Sequence, residues 1–319
     1  MKQDDTTGGP GGSERAGGAS PPAPRETLEL IMDDGAAIRV RCHGSPRSPR
    51  LYVSHGNGFA VDGYLPFWGP LAERYEVVAF DMRNHGRNPP AGADGHHYPQ
   101  MARDLAQVVA GVEAALGARP RVGVFHSMSA RAAMKQAVQG SAPWDALLLY
   151  DPPNVPPREH PLYEPMRAFE LRLVEFALNR PERFAAPEEL ARSYAESRAH
   201  RSWVGDSHTL MAQALLRRDA ARGDWVLSCP REYEAAIYLA ALTLDLWPAA
   251  SALGCPTLLV GADPERQGGP PTGRTNQALA AEQGYRYEAV RETGHLLQIE
   301  RPEECRRLLQ EFLGGLGIA

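Results

Sequence analysis

Val122-Gly-Val-Phe-His-Ser-Met-Ser-Ala130 decides how the rest of the chain is read. Residues 122–125 are mostly apolar, as in a buried strand, and Ala130, Ala133, Met134, Ala137 and Val138 then recur at helical spacing. A strand that runs through a serine directly into a helix has the form of a nucleophile elbow. Such a turn lifts the Ser127 hydroxyl clear of the sheet. It also sets the serine beside free backbone N–H groups at a helix N-terminus, which can hold an oxyanion. The flanking positions depart from the usual G-x-S-x-G form, because Phe125 and Ser129 stand where small residues let strand and helix approach. Phe125 is the sharper departure, since a ring must fit where a hydrogen usually sits. Taken alone, the stretch reads equally well as a serine capping a helix.

Working outward toward the N-terminus, strands alternate with helices. Glu26–Met32 and Ala36–Cys42 read as two strands joined at Asp33-Asp-Gly35, a hairpin signal. Leu51–Ser54 is a third strand that ends in His55-Gly-Asn-Gly58, where glycines allow close backbone approach to a ligand. Pro66–Tyr75 reads as a helix, and Val77–Phe80 as a strand closed by Asp81-Met-Arg-Asn-His-Gly-Arg87. Met101, Leu105, Val108, Val109, Val112 and Leu116 mark one face of the next helix. Beyond the elbow, Ala146–Tyr150 is a strand that ends at Asp151-Pro-Pro153.

The alternation then stops. Between residues 152 and 249 no buried strand is evident. Helical patterns fall at Tyr163–Asn179, Pro187–Arg198, His208–Arg218 and Arg231–Leu246. This segment reads as a helical insertion above the strand ends. The alternation resumes with a strand at Thr257–Val260, a helix at Thr275–Gln283, a strand at Tyr285–Val290 and a final helix at Arg301–Leu316. The expected architecture is α/β: a mostly parallel, eight-stranded sheet with helices on both faces. Residues 26–151 and 250–319 form the core, and 152–249 form a cap. The first 25 residues are rich in Gly and Pro and read as a disordered tail.

Bulk properties exclude several classes. A net charge of −5 gives no reason to expect a nucleic-acid partner. No apolar run reaches membrane-spanning length, and the first residues lack the apolar region of a secretory signal. Cys42, Cys229, Cys255 and Cys305 are scattered, with no C-x-x-C pair. That suits a reducing compartment, and a cytoplasmic location is the expectation. The partner expected is a small-molecule substrate, with no membrane partner. A homodimer is left open.

The order of the reactive residue types is informative. A serine follows the fifth strand, acids follow the sixth and seventh, and a histidine follows the eighth. A hydroxyl is a weak nucleophile until an imidazole accepts its proton, and a buried carboxylate fixes the tautomer of that imidazole. All of these residues fall at strand carboxyl ends, where open α/β sheets bind ligands. Over roughly Thr27 to Leu316 the chain resembles an α/β-hydrolase with a helical cap. His55-Gly-Asn-Gly58 resembles the HG-x-G loop of that superfamily. Asp81-Met-Arg-Asn-His-Gly86 resembles its D-x-R-G-H-G turn, with Asn84 in place of glycine. Phe125-His-Ser-Met-Ser129 resembles G-H-S-M-G, and Gly294-His-Leu-Leu-Gln-Ile-Glu-Arg-Pro302 resembles G-H-x-x-x-x-E-x-P.

The resemblance implies a serine hydrolase acting on a small ester, lactone or thioester, with no cofactor. Ser127 is the nucleophile, unlike the aspartate of haloalkane dehalogenases and epoxide hydrolases, and His295 is the base. Asp263 is the first choice for the acid, although Gly261-Ala-Asp-Pro264 sets it one residue earlier than the common spacing. Asp151 is the alternative and Glu265 the third. The resemblance gives the oxyanion hole to the backbone N–H groups of Met128 and Asn57, with Phe59 as the other option in the loop. Phe59 and Trp68 are expected at the substrate. Tyr64, Trp203 and Trp225 fit either an acyl pocket or a packed cap. His55 and His85 read as structural. Asp94 with His96-His97 has metal-ligand types but reads as a solvated loop, so no metal is expected. C–C bond hydrolysis and acyl transfer use the same residues. Phe125 and Ser129 also motivate a non-catalytic binding protein on this fold.

Overall fold

The computed structural model describes residues 20–140 and 143–318. Most of the tail expected at the N-terminus therefore lies outside the described residues. Eight strands form one sheet: β1 (Glu26–Ile31), β2 (Ala37–His43), β3 (Arg50–Ser54), β4 (Glu76–Phe80), β5 (Arg121–His126), β6 (Ala146–Tyr150), β10 (Thr257–Ala262) and β11 (Arg286–Val290). Their order is β1-β2-β4-β3-β5-β6-β10-β11. The two N-terminal strands pair antiparallel, β2 also runs antiparallel to β4, and every later pairing is parallel.

Side-chain alternation builds a core on each face of this sheet. Leu51 and Val53 point to one face and Tyr52 to the other. Ala146, Leu148 and Tyr150 likewise oppose Leu147 and Leu149. Since both faces are covered, the central strands are apolar throughout rather than alternating with polar residues. On one face pack α1 (Leu65–Trp68), α9 (Leu297–Glu300) and α10 (Pro302–Gly315). On the other pack α2 (Tyr98–Leu116), α3 (Met128–Val138) and α8 (Thr272–Gln283). The helix expected at Pro66–Tyr75 is only the four-residue α1, followed by a 3-10 turn at Gly69–Glu73. Gly69 and Pro70 end it, as a flexible residue beside one with no N–H to donate.

Between β6 and β10 the chain leaves the sheet and forms α4 (Tyr163–Asn179), α5 (Pro187–Glu196), α6 (Ser207–Leu215) and α7 (Arg231–Ala241). The expectation of an all-helical insertion needs correction. β7 (Arg183–Phe184), β8 (Leu216–Asp219) and β9 (Asp224–Leu227) make a small antiparallel sheet in the order β7-β9-β8. These strands are two to four residues long and mostly half-exposed, so they carry no buried apolar run to read. The insertion is tied to the core by Arg131 on α3, which pairs with Glu170 on α4, both fully buried. Among the described residues no helix is long and apolar enough to cross a membrane.

β4 and β5 lie on opposite sides of β3, so the strand order reverses there. The crevice beyond the carboxyl ends of β3 and β5 is the usual ligand position in such a sheet. The His55–Gly58 loop leaves β3 at that point, and Ser127 leaves β5.

Candidate active site

Ser127 sits between β5 and α3 with φ 53° and ψ −112°, a backbone shape that side chains rarely adopt. The unusual neighbours fit this turn. The Phe125 ring is fully buried and packs edge-on against Trp144 at 5.2 Å. Its room comes from Gly123, two residues earlier on the same face of β5. A Cβ on Gly123 would meet the Phe125 ring at 2.5 Å. At the fifth position the Ser129 hydroxyl donates to the His126 carbonyl at 2.9 Å and accepts from the His126 N–H at 3.1 Å, bracing the turn. Gly56 faces the elbow from the loop after β3, where a Cβ would lie 3.1 Å from the Ser127 Cβ.

His295 follows β11 and reaches back across two strands. Ser127 Oγ lies 2.9 Å from His295 Nε2, and His295 Nδ1 lies 2.7 Å from Asp151 Oδ2. Nδ1 therefore carries the proton toward the carboxylate, and Nε2 is left to accept from the serine hydroxyl. The Gly294–Pro302 motif holds the loop: Glu300 accepts from the Gly294 N–H at 2.9 Å, and Pro302 opens α10.

The acid at His295 is Asp151, and the first choice of Asp263 is corrected. Asp151, at φ 42°, is fully buried at the end of β6. Its carboxylate also accepts from Thr272 Oγ1 at 2.6 Å, Asn276 Nδ2 at 2.8 Å and the Ala262 N–H at 3.0 Å. Asp263 lies one residue beyond β10. There its carboxylate turns toward the segment after β11 and accepts from the Glu292 N–H at 2.9 Å, the Glu265 N–H at 3.0 Å and Arg291. The Glu292 N–H leads in holding its pKa below the ordinary carboxylate value. Glu265 is exposed and pairs with Arg291.

Two backbone donors are candidates for the oxyanion, one next to Ser127 in the chain and one in the loop that lines its cavity. Met128 is the first residue of α3, so its N–H has no intrahelical acceptor. In the other loop, Gly56 N–H reaches Tyr64 Oη, Gly58 N–H reaches His85 Nε2 and Phe59 N–H reaches the Gly56 carbonyl. Asn57 is left. Among the described residues neither its N–H nor that of Met128 has a protein acceptor. The Phe59 option for an oxyanion donor is thus occupied. The insertion fixes the Asn57 loop, because Asn57 Nδ2 donates to the Glu234 carbonyl at 2.8 Å and Gly58 leaves room for the Glu234 carboxylate.

Residues not singled out from the sequence link these parts. His126 Nε2 donates to the His295 carbonyl at 2.8 Å, and its Nδ1 accepts from Tyr64 Oη at 2.8 Å. Burial and the neighbouring His295 hold His126 neutral, its pKa well below the ordinary value. His126 was visible as the x of G-x-S. Thr272 and Asn276, four apart on α8, had no such signal.

A cavity of about 620 Å³ opens over Ser127. Phe59 lines it, together with Phe169, Leu173 and Tyr194 of the insertion. Trp68 does not. It is fully buried in the core with its indole N–H on the Val61 carbonyl, so its expected contact with substrate is corrected. Tyr64 stands behind the elbow, Trp203 packs inside the insertion against Tyr194, and Trp225 lies on β9. His55 accepts from the Met82 N–H and His85 from Gly58, both as loop supports. His96 is buried against His85 rather than solvated, with burial pushing its pKa down to about 4, while His97 caps α2. Among the described residues no group of three such side chains could hold a metal ion.

Comparison with known proteins agrees with this fold. The model of the alpha/beta hydrolase family matches residues 42–308. The dihydrolipoyllysine-residue acetyltransferase component of the acetoin cleaving system of Cupriavidus necator is 36% identical over 107 residues, 33% of this chain and 26% of that one. The chain spans about a quarter to a third of the length of the first curated relatives it matches. E-2-(acetamidomethylene)succinate hydrolase superposes with a TM-score of 0.71 over 91% of this chain and 100% of that one, at 18% identity. An alpha/beta hydrolase from Novosphingobium aromaticivorans gives a TM-score of 0.68 over 90% and 98%, also at 18% identity. Likeness at these identities is one of fold.

Proposed function

The chain belongs to the alpha/beta hydrolase family, and from that premise we propose that it is a serine hydrolase cleaving a small carboxylic ester, lactone or thioester. The observation that carries this reading is the continuous chain Ser127 Oγ, His295 Nε2, His295 Nδ1 and Asp151 Oδ2, with contacts of 2.9 and 2.7 Å. Ser127 attacks the acyl carbonyl while His295 takes its proton. The oxyanion that forms is held by the Met128 and Asn57 N–H groups, each worth about 3–4 kcal/mol to such a transition state. As the C–O or C–S bond breaks, His295 gives the proton to the departing alkoxide oxygen or thiolate sulfur, and an acyl-enzyme remains. Water, deprotonated by His295, then releases the acid. Asp151 keeps the imidazole in the required tautomer throughout and steadies its positive charge. No step calls for a cofactor.

Against the non-catalytic reading stands the packing of Phe125 and Ser129, which are both accommodated while Ser127 keeps its 2.9 Å contact with His295. Four unpaired cysteines suit a reducing compartment such as the cytoplasm. The test is labelling with a fluorophosphonate followed by peptide mass mapping. Stoichiometric modification of Ser127, absent in Ser127→Ala, is the expected result. A folded protein that stays unlabelled, or carries the label elsewhere, would sink the proposal.

A further inference from the structure

The cavity over Ser127 is cationic in a chain whose formal net charge is −5. Five arginines line it (Arg172, Arg180, Arg198, Arg201 and Arg266) with one carboxylate, Glu234. Arg180 is neutralised by that glutamate at 2.9 Å, and Arg266 by Glu300 at 3.2 Å. Arg172, Arg198 and Arg201 have no carboxylate partner among the described residues. A second cavity, beside β2 and β8, is also rich in arginine, with Arg39, Arg41, Arg87 and Arg217 on its lining, but its charges are answered in larger part within the protein. There Arg39 pairs with Glu29, and Arg41 and Arg87 share Asp62. Among the described residues Arg217 there reaches only Ser228 Oγ and the Asn88 carbonyl, so both cavities hold excess positive charge, and the larger excess, three arginines without a carboxylate, lies in the cavity over Ser127.

The arrangement along the cavity is directional. Ser127 lies at the closed end, 5% exposed. Phe169, Leu173 and Phe176 stand on one face of α4 at helical spacing and make an apolar wall. Arg172 is on that same face, while Arg198 and Arg201 lie in the connection between α5 and α6; all three are exposed at the open end. A low-dielectric cleft lined by one sign of charge concentrates the opposite charge and speeds its entry. Guanidinium groups also grip carboxylate and phosphate oxygens in pairs.

We propose that the substrate is a small acyl compound with a fixed negative charge, a carboxylate or equivalent anion, separated by an apolar spacer from the carbonyl that Ser127 attacks. This inference rests on the serine-hydrolase reading. Its test compares the mono-4-nitrophenyl ester of glutaric acid with 4-nitrophenyl pentanoate, which has the same number of acyl carbons but no charge. The expected kcat/KM ratio favours the anionic ester by roughly tenfold or more and falls as salt is raised. In the triple variant R172Q/R198Q/R201Q, whose changes are all at exposed positions, the ratio drops toward unity. A wild-type ratio of one or below overturns the assignment, as does a ratio that the triple variant leaves unchanged. Fluorophosphonate labelling of the same samples separates the two possible failures. Labelled Ser127 with no charge preference overturns the substrate class alone, whereas unlabelled Ser127 removes the hydrolase reading beneath it.

Discussion

Asp151 and Asp263 end neighbouring parallel strands, β6 and β10, and both precede a proline, yet they meet opposite surroundings. The Asp151 side chain is 0% exposed and is surrounded by Thr272, Asn276, the Ala262 N–H and His295. The Asp263 side chain is 11% exposed and meets two backbone N–H groups and a solvated arginine. The pair teaches that a carboxylate at a strand end is not yet a catalytic acid. The ring of donors decides which aspartate faces the histidine, and those donors come from elsewhere in the chain.

The largest expected effect breaks the comparison outright. Asp151→Asn should lower kcat by on the order of 10⁴, since an amide favours the wrong imidazole tautomer. Asp263→Asn should leave kcat within about threefold, because Asp263 acts on neither Ser127 nor His295. Steady-state kinetics on any accepted ester, or the rate of fluorophosphonate labelling, reads both. A large loss confined to the Asp263 variant would reverse the assignment.

Stability comes next. Asp151→Ala strips an acceptor from three buried donors and should cost about 2–4 kcal/mol in urea unfolding. Asp263→Ala should cost about 1 kcal/mol or less, because water can serve the donors it leaves. On the other side of β6, Gly123→Ala touches neither acid and should cost about 1–3 kcal/mol by crowding the Phe125 ring. Adding Phe125→Leu should recover part of that loss, and a double-mutant cycle in unfolding free energy measures how much.

The smallest effect concerns acid. The folded protein holds the Asp263 carboxyl below its ordinary value of 3.8, led by the Glu292 N–H. The unfolded chain therefore binds this proton first as pH falls. The resulting stabilisation is fully present above about pH 4 and is lost as pH drops through the folded value. The unfolding midpoints of wild type and Asp263→Asn should accordingly converge in acid. A gap that widens there would mean the sign is wrong.

These contrasts also mark what the sequence could say. Strands buried on both faces announce themselves as apolar runs, so the frame was legible, and so was the order in which serine, acids and histidine leave it. Asn84 replaces a glycine at φ 61°, which its side chain tolerates by bonding the Gly92 carbonyl and the Ala91 N–H. The acid was not legible. Its identity depends on Thr272 and Asn276, more than a hundred residues from Asp151. Trp68 shows the same limit, since an aromatic ring is equally at home in a core and in a pocket. The strands of the insertion were too short and too exposed to leave a pattern.

The left-handed backbone at Ser127 has a consequence for stability as well as for the proposed chemistry. Glycine adopts that shape without strain, so Ser127→Gly should yield a more stable protein than Ser127→Ala, and an inert one. On the serine-hydrolase proposal, thermodynamics and turnover pull this position in opposite directions. Under the proposed role, the serine forgoes stability that glycine would return, and only the reaction calls for it.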